Sequence, residues 1–237
     1  MVSHDLQSPL STVNINLALL RRQAESRGDA TGIAQIQRME RTSNTMAERI
    51  KAILGYSRAG KGESPRDSVA LGEALRDVLA DMAADLERSG AQLSVGTLPI
   101  VRGDREQMKQ VLQNLLSNAI KYAKPGTPPV IRVSSEERDA AWHVHIEDEG
   151  LGFDAGEVQQ MLTPFRRLDR TRNIPGHGVG LATCVRILER HGGRLEATGT
   201  VEQGGRFTLV LPRPPPPGPT PAAEGPPEGT GLPQPQS

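Results

Sequence analysis

Gln113-Asn114-Leu115-Leu116-Ser117-Asn118-Ala119-Ile120-Lys121-Tyr122 ends a stretch, Arg105 to Tyr122, that repeats with helical period. Met108, Val111, Leu112, Leu115 and Ala119 fall on one side, which predicts an amphipathic helix with that side in a core. Asn114, Asn118 and Lys121 stand at i, i+4 and i+7, so they share a second face, with Tyr122 at its edge. Carboxamide oxygens suit a Mg2+ shell and an ammonium neutralises phosphate. Taken alone, the same face would also serve as an ordinary solvated surface.

Further along, Asp148-Glu149-Gly150-Leu151-Gly152 ends an alternating strand-like run. An acid at a strand end can accept a hydrogen bond from an adenine amino group. Gly150 and Gly152 let backbone approach a ligand with no Cβ in the way. Gly176-His177-Gly178-Val179-Gly180-Leu181 then leads into a helix, giving backbone N–H groups and a dipole for an anion. The spacing is GxGxG after a long loop, which fails the dinucleotide fingerprint. Phe165-Arg166-Arg167-Leu168 and a flexible basic stretch through Arg170 and Arg172 lie between the glycine motifs. The segment 153–175 reads as a lid over a polyphosphate.

Around this centre the pattern is α+β, with helices on a mostly antiparallel sheet. One helix is predicted over Gly72–Arg88, and strands at Gln92–Val95, Ile100–Arg102, Val130–Glu136 and Trp142–Asp148. A helix over Val179–His191 precedes strands at Arg194–Thr198 and Arg206–Leu211.

Residues 1–58 differ. Leu6, Leu10, Val13, Leu17, Leu20 and Ala24 make one heptad stripe, and Ile36, Met39, Ser43, Met46, Ile50 and Ile53 a second. The polar turn 27–32 joins them into a helical hairpin. Such a hairpin is too thin to bury both faces, so a homodimeric four-helix bundle is expected. A linker is assigned to 59–68, a mixed domain to 69–212 and a disordered Pro/Gly-rich tail to 213–237.

Charge is balanced, with 28 basic and 28 acidic residues, and aromatics are 3% of the chain, so nucleic acid is not an expected partner. No apolar run approaches the roughly 18 residues of a membrane span. The single cysteine, Cys184, reads as a small buried apolar residue, and the chain as cytoplasmic.

The stretch 113–122 resembles the N box of the histidine-kinase/Hsp90/gyrase-type ATPases. Asp148–Gly152 resembles their G1 box, Phe165–Leu168 their F box and Gly176–Leu181 their G2 box, in the family's order. The closing strand Gly204–Leu209 matches as well. The resemblance implies a Bergerat α/β sandwich that binds ATP with Mg2+. It puts Asn118 on the metal with Asn114 beside it, Lys121 near phosphate, Tyr122 near the base and Asp148 on the adenine amino group. Gly150, Gly152, Phe165, Arg172, Gly176, Gly178, Gly180 and Leu181 complete the expected ATP site.

Ser3-His4-Asp5-Leu6-Gln7-Ser8-Pro9-Leu10, ahead of this ATPase, resembles the H box of sensor histidine kinases, of the type found in phytochrome-like kinases. His4 lies about 160° around the helix from the Leu6/Leu10/Val13 stripe and faces outward. Asp5 can hold one ring N–H and leave the other nitrogen basic. The resemblance implies autophosphorylation of His4 and transfer to a response-regulator receiver domain. Ile15 and Leu19, on the His4 side, are candidates for receiver docking or for bundle core.

Ser8 stands where the family has Thr or Asn, which puts any phosphatase-assisting role of Ser8 in question. Pro9 either bends the helix or marks its start. Only three residues precede His4, where the family carries a longer helix and a sensor, so a frayed first turn and lowered activity are expected. His145, His177 and His191 match no catalytic position and read as structural or surface residues. A nucleotide-binding scaffold without autokinase activity, or another ATPase or protein kinase of the superfamily, stands as the alternative.

Overall fold

The computed structural model describes residues 2–59 and 67–213, with the backbone alone at 2–8, 11, 51 and 58. The tail reading falls on 214–237 and most of the linker reading on 60–66, outside the described residues.

Helices α1 (Val2–Ser26) and α2 (Ala30–Ala59) form the hairpin. The chain reverses at Gly28, whose φ of +67° is a left-handed conformation that glycine adopts without a Cβ penalty. Asp29 caps α2 by accepting the Gly32 N–H at 2.8 Å. The turn is therefore shorter than the polar stretch 27–32. Helix α1 continues through Pro9, so the helix does not begin there. Leu17, Ala24 and Ser43 are buried within the hairpin, while Val13, Leu20, Met39, Met46 and Ile53 are each about half exposed.

Beyond the hairpin the chain runs β1 (Asp67–Ala70), α3 (Leu71–Asp81), α4 (Ala83–Ser89), β2 (Gln92–Val95), β3 (Ile100–Gly103) and α5 (Arg105–Lys121). It continues with β4 (Val130–Arg138), β5 (Ala141–Asp148), α6 (Val158–Leu162), α7 (Gly180–Arg190), β6 (Arg194–Thr200) and β7 (Gly204–Pro212). A five-stranded sheet has the order β2-β4-β5-β7-β6, antiparallel except for β2 beside β4. Strand β1 pairs with β3 in a separate ribbon.

Helices α3, α5 and α7 cover the sheet. Met108, Val111, Leu112, Leu115 and Leu116 of α5 are essentially inaccessible and meet Leu75 of α3, Ile187 and Leu188 of α7, and Ile131, Ile146 and Leu209 of the sheet. Asp104 caps α5 by accepting the Gln107 N–H.

Three differences from the sequence reading have local causes. The single helix expected over 72–88 is broken at Met82, whose side chain is buried and whose backbone leaves helical geometry. The linker assigned to 59–68 is shorter at both ends. Ala59 ends α2 with its side chain buried against the core, and Asp67 already pairs with Gly103. Strand β1 escaped notice because four residues hold no period worth reading.

Candidate functional site

A cavity of about 390 Å3 opens between α5, the end of β5, the segment 151–179 and the start of α7. Its size is that of a small-molecule site. The polar face of α5 forms one wall: Asn114, Asn118, Lys121 and Tyr122 all line it and are half-buried. The Lys121 ammonium lies 4.8 Å from the centre of the Tyr122 ring and close beside Gly176.

Asp148 lies at the inner end of the cavity, where β5 leaves the sheet opposite Gly205. Burial pushes its carboxyl above the ordinary carboxylate range, against the opposing pull of the Gly150 and Gly205 N–H groups. Gly150 packs tightly between Tyr122 and Asp148. A Cβ there would sit 2.5 Å from the Tyr122 carbonyl, and its N–H donates to Asp148 Oδ1 at 2.9 Å. It orients the carboxylate that lines the cavity and is not itself part of that lining.

Gly176, Gly178, Gly180 and Leu181 line the opposite wall with His177. Gly178, at φ +71°, approaches the Arg166 carbonyl so closely that a Cβ would stand 2.8 Å away. Its own carbonyl accepts the Phe165 N–H at 2.7 Å, stitching the two boxes together. Asn114 Nδ2 reaches the Gly180 carbonyl at 3.4 Å, tying α5 to the start of α7.

Two expected contacts lie elsewhere. Phe165, at φ +62°, is 56% exposed and turns its ring toward Tyr56 of α2, with centroids 6.5 Å apart. Arg172 is exposed on an ion pair with Asp169 at 2.8 Å. Arg166 and Arg167 line the cavity in its place. Arg167 is committed to structure: its guanidinium donates to the carbonyls of Thr171, Ile174 and Gly176 and holds the loop in shape.

The apolar floor was not anticipated. Phe153 and Phe207, 5.5 Å between centroids, line the cavity with Leu151, Met161 and Leu168. Phe207 lies on the closing strand within the matching stretch Gly204–Leu209, the sequence signal that points to it. His177 also lines the cavity and contacts Glu48 of α2 at 3.2 Å, so the structural-or-surface reading misses its place in the site. His145 meets Thr208 and Glu136 on the sheet. His191 is buried and structural. The side chains of His4, Asp5 and Ser8, expected at the phosphoacceptor site, lie outside the described residues; their backbone lies in the first turns of α1.

Residues 103–215 match the family of histidine kinase-, DNA gyrase B- and HSP90-like ATPases. Phytochrome-like protein Cph1 of Synechocystis sp. is 30% identical over 212 residues, 90% of this chain and 28% of that protein. Sensor histidine kinase MtrB of Mycobacterium tuberculosis is 31% identical over 223 residues, 89% of this chain and 38% of that one. Residues 103–215 belong to the histidine kinase-, DNA gyrase B- and HSP90-like ATPases, and the chain as a whole is similar to sensor histidine kinases.

This histidine-kinase relative thus spans well under half the length of either protein. Full-length ShkA in complex with AMPPNP has the same fold at a TM-score of 0.67 and 22% identity, covering 89% of this chain and 44% of that one. Mycobacterial sensor histidine kinase MprB gives 0.55 at 27% identity, covering 63% of this chain and 99% of that one. The α/β ATP-binding fold expected from the boxes is therefore the fold of the family. Among the described residues, no helix is long and apolar enough to cross a membrane.

Proposed function

We propose that the chain is an ATP-dependent, autophosphorylating protein-histidine kinase of a two-component system, passing phosphoryl from His4 to an aspartate of a response-regulator receiver domain. One observation carries this reading. A nucleotide-sized cavity bearing Asn118, Lys121 and Asp148 belongs to the same chain as a helical hairpin with His4 near the start of its first helix.

The residues fit a magnesium nucleotide. Asp148 accepts from the adenine amino group, and the Phe153–Phe207 floor supports the base. Lys121 and the N-terminus of α7 offset phosphate charge. Among the described residues, no cluster of three His, Cys, Asp or Glu side chains could hold a metal by itself. That suits Mg2+, which takes most of its ligands from phosphates and water, with Asn118 adding a carboxamide oxygen. The ion, when bound, neutralises charge on the phosphates.

A lone pair on neutral His4 attacks the γ-phosphorus in line, the new N–P bond forming as the bond to the bridging oxygen breaks. ADP leaves with that electron pair. Asp5 accepts the remaining ring N–H and stabilises the charge that develops on the imidazole. The receiver carboxylate then attacks the phosphorus and displaces the imidazole. The half-exposed heptad residues of α1 and α2 support a second copy as the partner of the hairpin. Ile15 and Leu19, both exposed, support a receiver-docking face on α1.

Incubation with γ-labelled ATP tests the reading. Acid-labile, alkali-stable label that disappears in His4→Gln is expected. Label that survives in that variant, or none in the unsubstituted chain, would overturn it. Acid-stable label points instead to a serine kinase, and free phosphate without labelled protein to an ATPase.

A further inference from the structure

Helix α2 carries a second stripe that the heptad pattern does not explain. Glu48, Ala52, Tyr56 and Ala59 recur at i, i+4, i+8 and i+11, about 130° around the helix from the Met46/Ile50/Ile53 side. Glu48, Tyr56 and Ala59 meet the ATP-binding domain. Glu48 reaches His177 of the glycine run, and Ala59 is buried against the domain core. Tyr56 is held from two directions: the Phe165 ring meets it edge-on at 69°, and the Arg186 guanidinium lies over it at 4.5 Å. Arg186 also donates to the Tyr56 carbonyl at 3.2 Å.

The height of this contact along the hairpin is informative. Asn14 bonds to Asn44 and Arg21 to Glu40, which fixes the antiparallel register of α1 on α2. Continued to the end, that register brings the His4 backbone level with Leu54–Ser57. Tyr56 therefore stands at the height of His4.

The groups that grip Tyr56 also belong to the nucleotide site. Arg186 lies on α7, whose first turn lines the cavity with Gly180 and Leu181. Phe165 is bonded through its N–H to Gly178. A left-handed non-glycine backbone such as that of Phe165 is strained and persists where the surroundings over-determine it. Here it is the conformation that aims the ring at α2.

We infer that Tyr56, with Arg186, Phe165 and the Glu48–His177 contact, is a dock that sets the ATP-binding domain at the height of His4. Tyr56 and Arg186 are positioning residues: they act on how the bound nucleotide meets the histidine and not on whether it binds. The inference rests on His4 as the acceptor. Its parts suit the task, since a cation over an aromatic face and an edge-on ring pair each fix orientation at modest energy. Such a contact holds a domain in place and still lets it leave.

The test measures two quantities on the full chain: the initial rate of acid-labile labelling at saturating ATP, and affinity for a fluorescent ATP analogue. In Tyr56→Ala and in Arg186→Ala the rate is expected to fall by about tenfold or more, with affinity held within about twofold. Tyr56→Phe keeps the ring and is expected to restore the rate. Bound analogue in the slow variants shows that they are folded. A rate that is unchanged or raised, or one that falls in step with affinity, would overturn the dock while leaving His4 as acceptor. No acid-labile label in the unsubstituted chain would overturn both.

Discussion

Asp148 carries a cost that the fold does not require. Its carboxyl is largely buried and its proton affinity is raised by that burial, only partly offset by the Gly150 and Gly205 N–H groups. A carboxyl raised above its unfolded value binds protons more readily in the folded state, so its contribution to stability falls as pH rises through that range. Asp148→Asn keeps the oxygen that accepts from Gly150 and removes the buried charge. The expected result is loss of ATP-analogue binding together with a melting midpoint at pH 7 no lower than that of the unsubstituted chain. A lower midpoint would mean that the carboxylate serves the fold. Cys184 is the opposite case. Burial pushes its thiol up to about 12, and its sulfur contacts the Val111 carbonyl, as befits a small core residue.

At the scale of elements, legibility followed period and chemistry. Helix α5 was readable because its 17 residues kept one apolar side while Asn114, Asn118 and Lys121 kept another. The glycine boxes were readable because their positions demand close backbone approach. A Cβ at Gly152 would overlap the Thr200 carbonyl at 1.9 Å. What stayed hidden depends on tertiary contacts. The arginines of the lid segment looked equivalent in sequence, yet Arg167 braces the loop, Arg170 bonds to Glu157 and the Gly152 carbonyl, and Arg172 pairs with Asp169. The second stripe of α2 was hidden because Ala52 and Ala59 are too small to stand out beside Met46 and Ile50.

His191 joins two such elements. Its Nδ1–H donates to the Ile187 carbonyl at 2.7 Å, and its Nε2 accepts the Asp104 N–H at 3.0 Å, linking the end of α7 to the cap of α5. The bond from Asp104 requires neutral imidazole, because Nε2 can accept only when it carries no proton. Burial, helped by the Arg190 charge, lowers its proton affinity against the Ile187 and Asp104 contributions. A depressed histidine means the unfolded chain binds more protons, so stability is present above the ordinary histidine value of about 6.5 and lost as pH falls below it. The midpoint of denaturant unfolding is expected to drop between about pH 7 and pH 5. In His191→Gln that slope should flatten, and an equally steep slope would exclude this contact as its source.

At the scale of the whole molecule, the hairpin presents two faces with different partners. One meets the chain's own ATP-binding domain through Tyr56 and Ala59. The other leaves Leu20, Met39, Met46 and Ile53 about half exposed, enough apolar surface to drive association with a second hairpin. Sedimentation equilibrium is expected to give a dimer, and Met46→Glu a monomer that still binds the ATP analogue. A monomer without the substitution would remove the four-helix bundle from the account.

The central claim is that the cavity built on Asn118 and Asp148 supplies phosphoryl to His4. Tryptic cleavage after Arg21 yields a peptide that holds His4 together with Ser3, Ser8, Ser11 and Thr12, the residues that would carry the group in another kind of kinase. The decisive measurement is tandem mass spectrometry of that peptide, at neutral pH, after incubation with ATP and Mg2+. The account predicts a phosphoryl group on His4 that is absent when Asn118→Asp replaces the unsubstituted chain. A phosphoryl group on a serine or threonine, or one on His4 that survives Asn118→Asp, would contradict it.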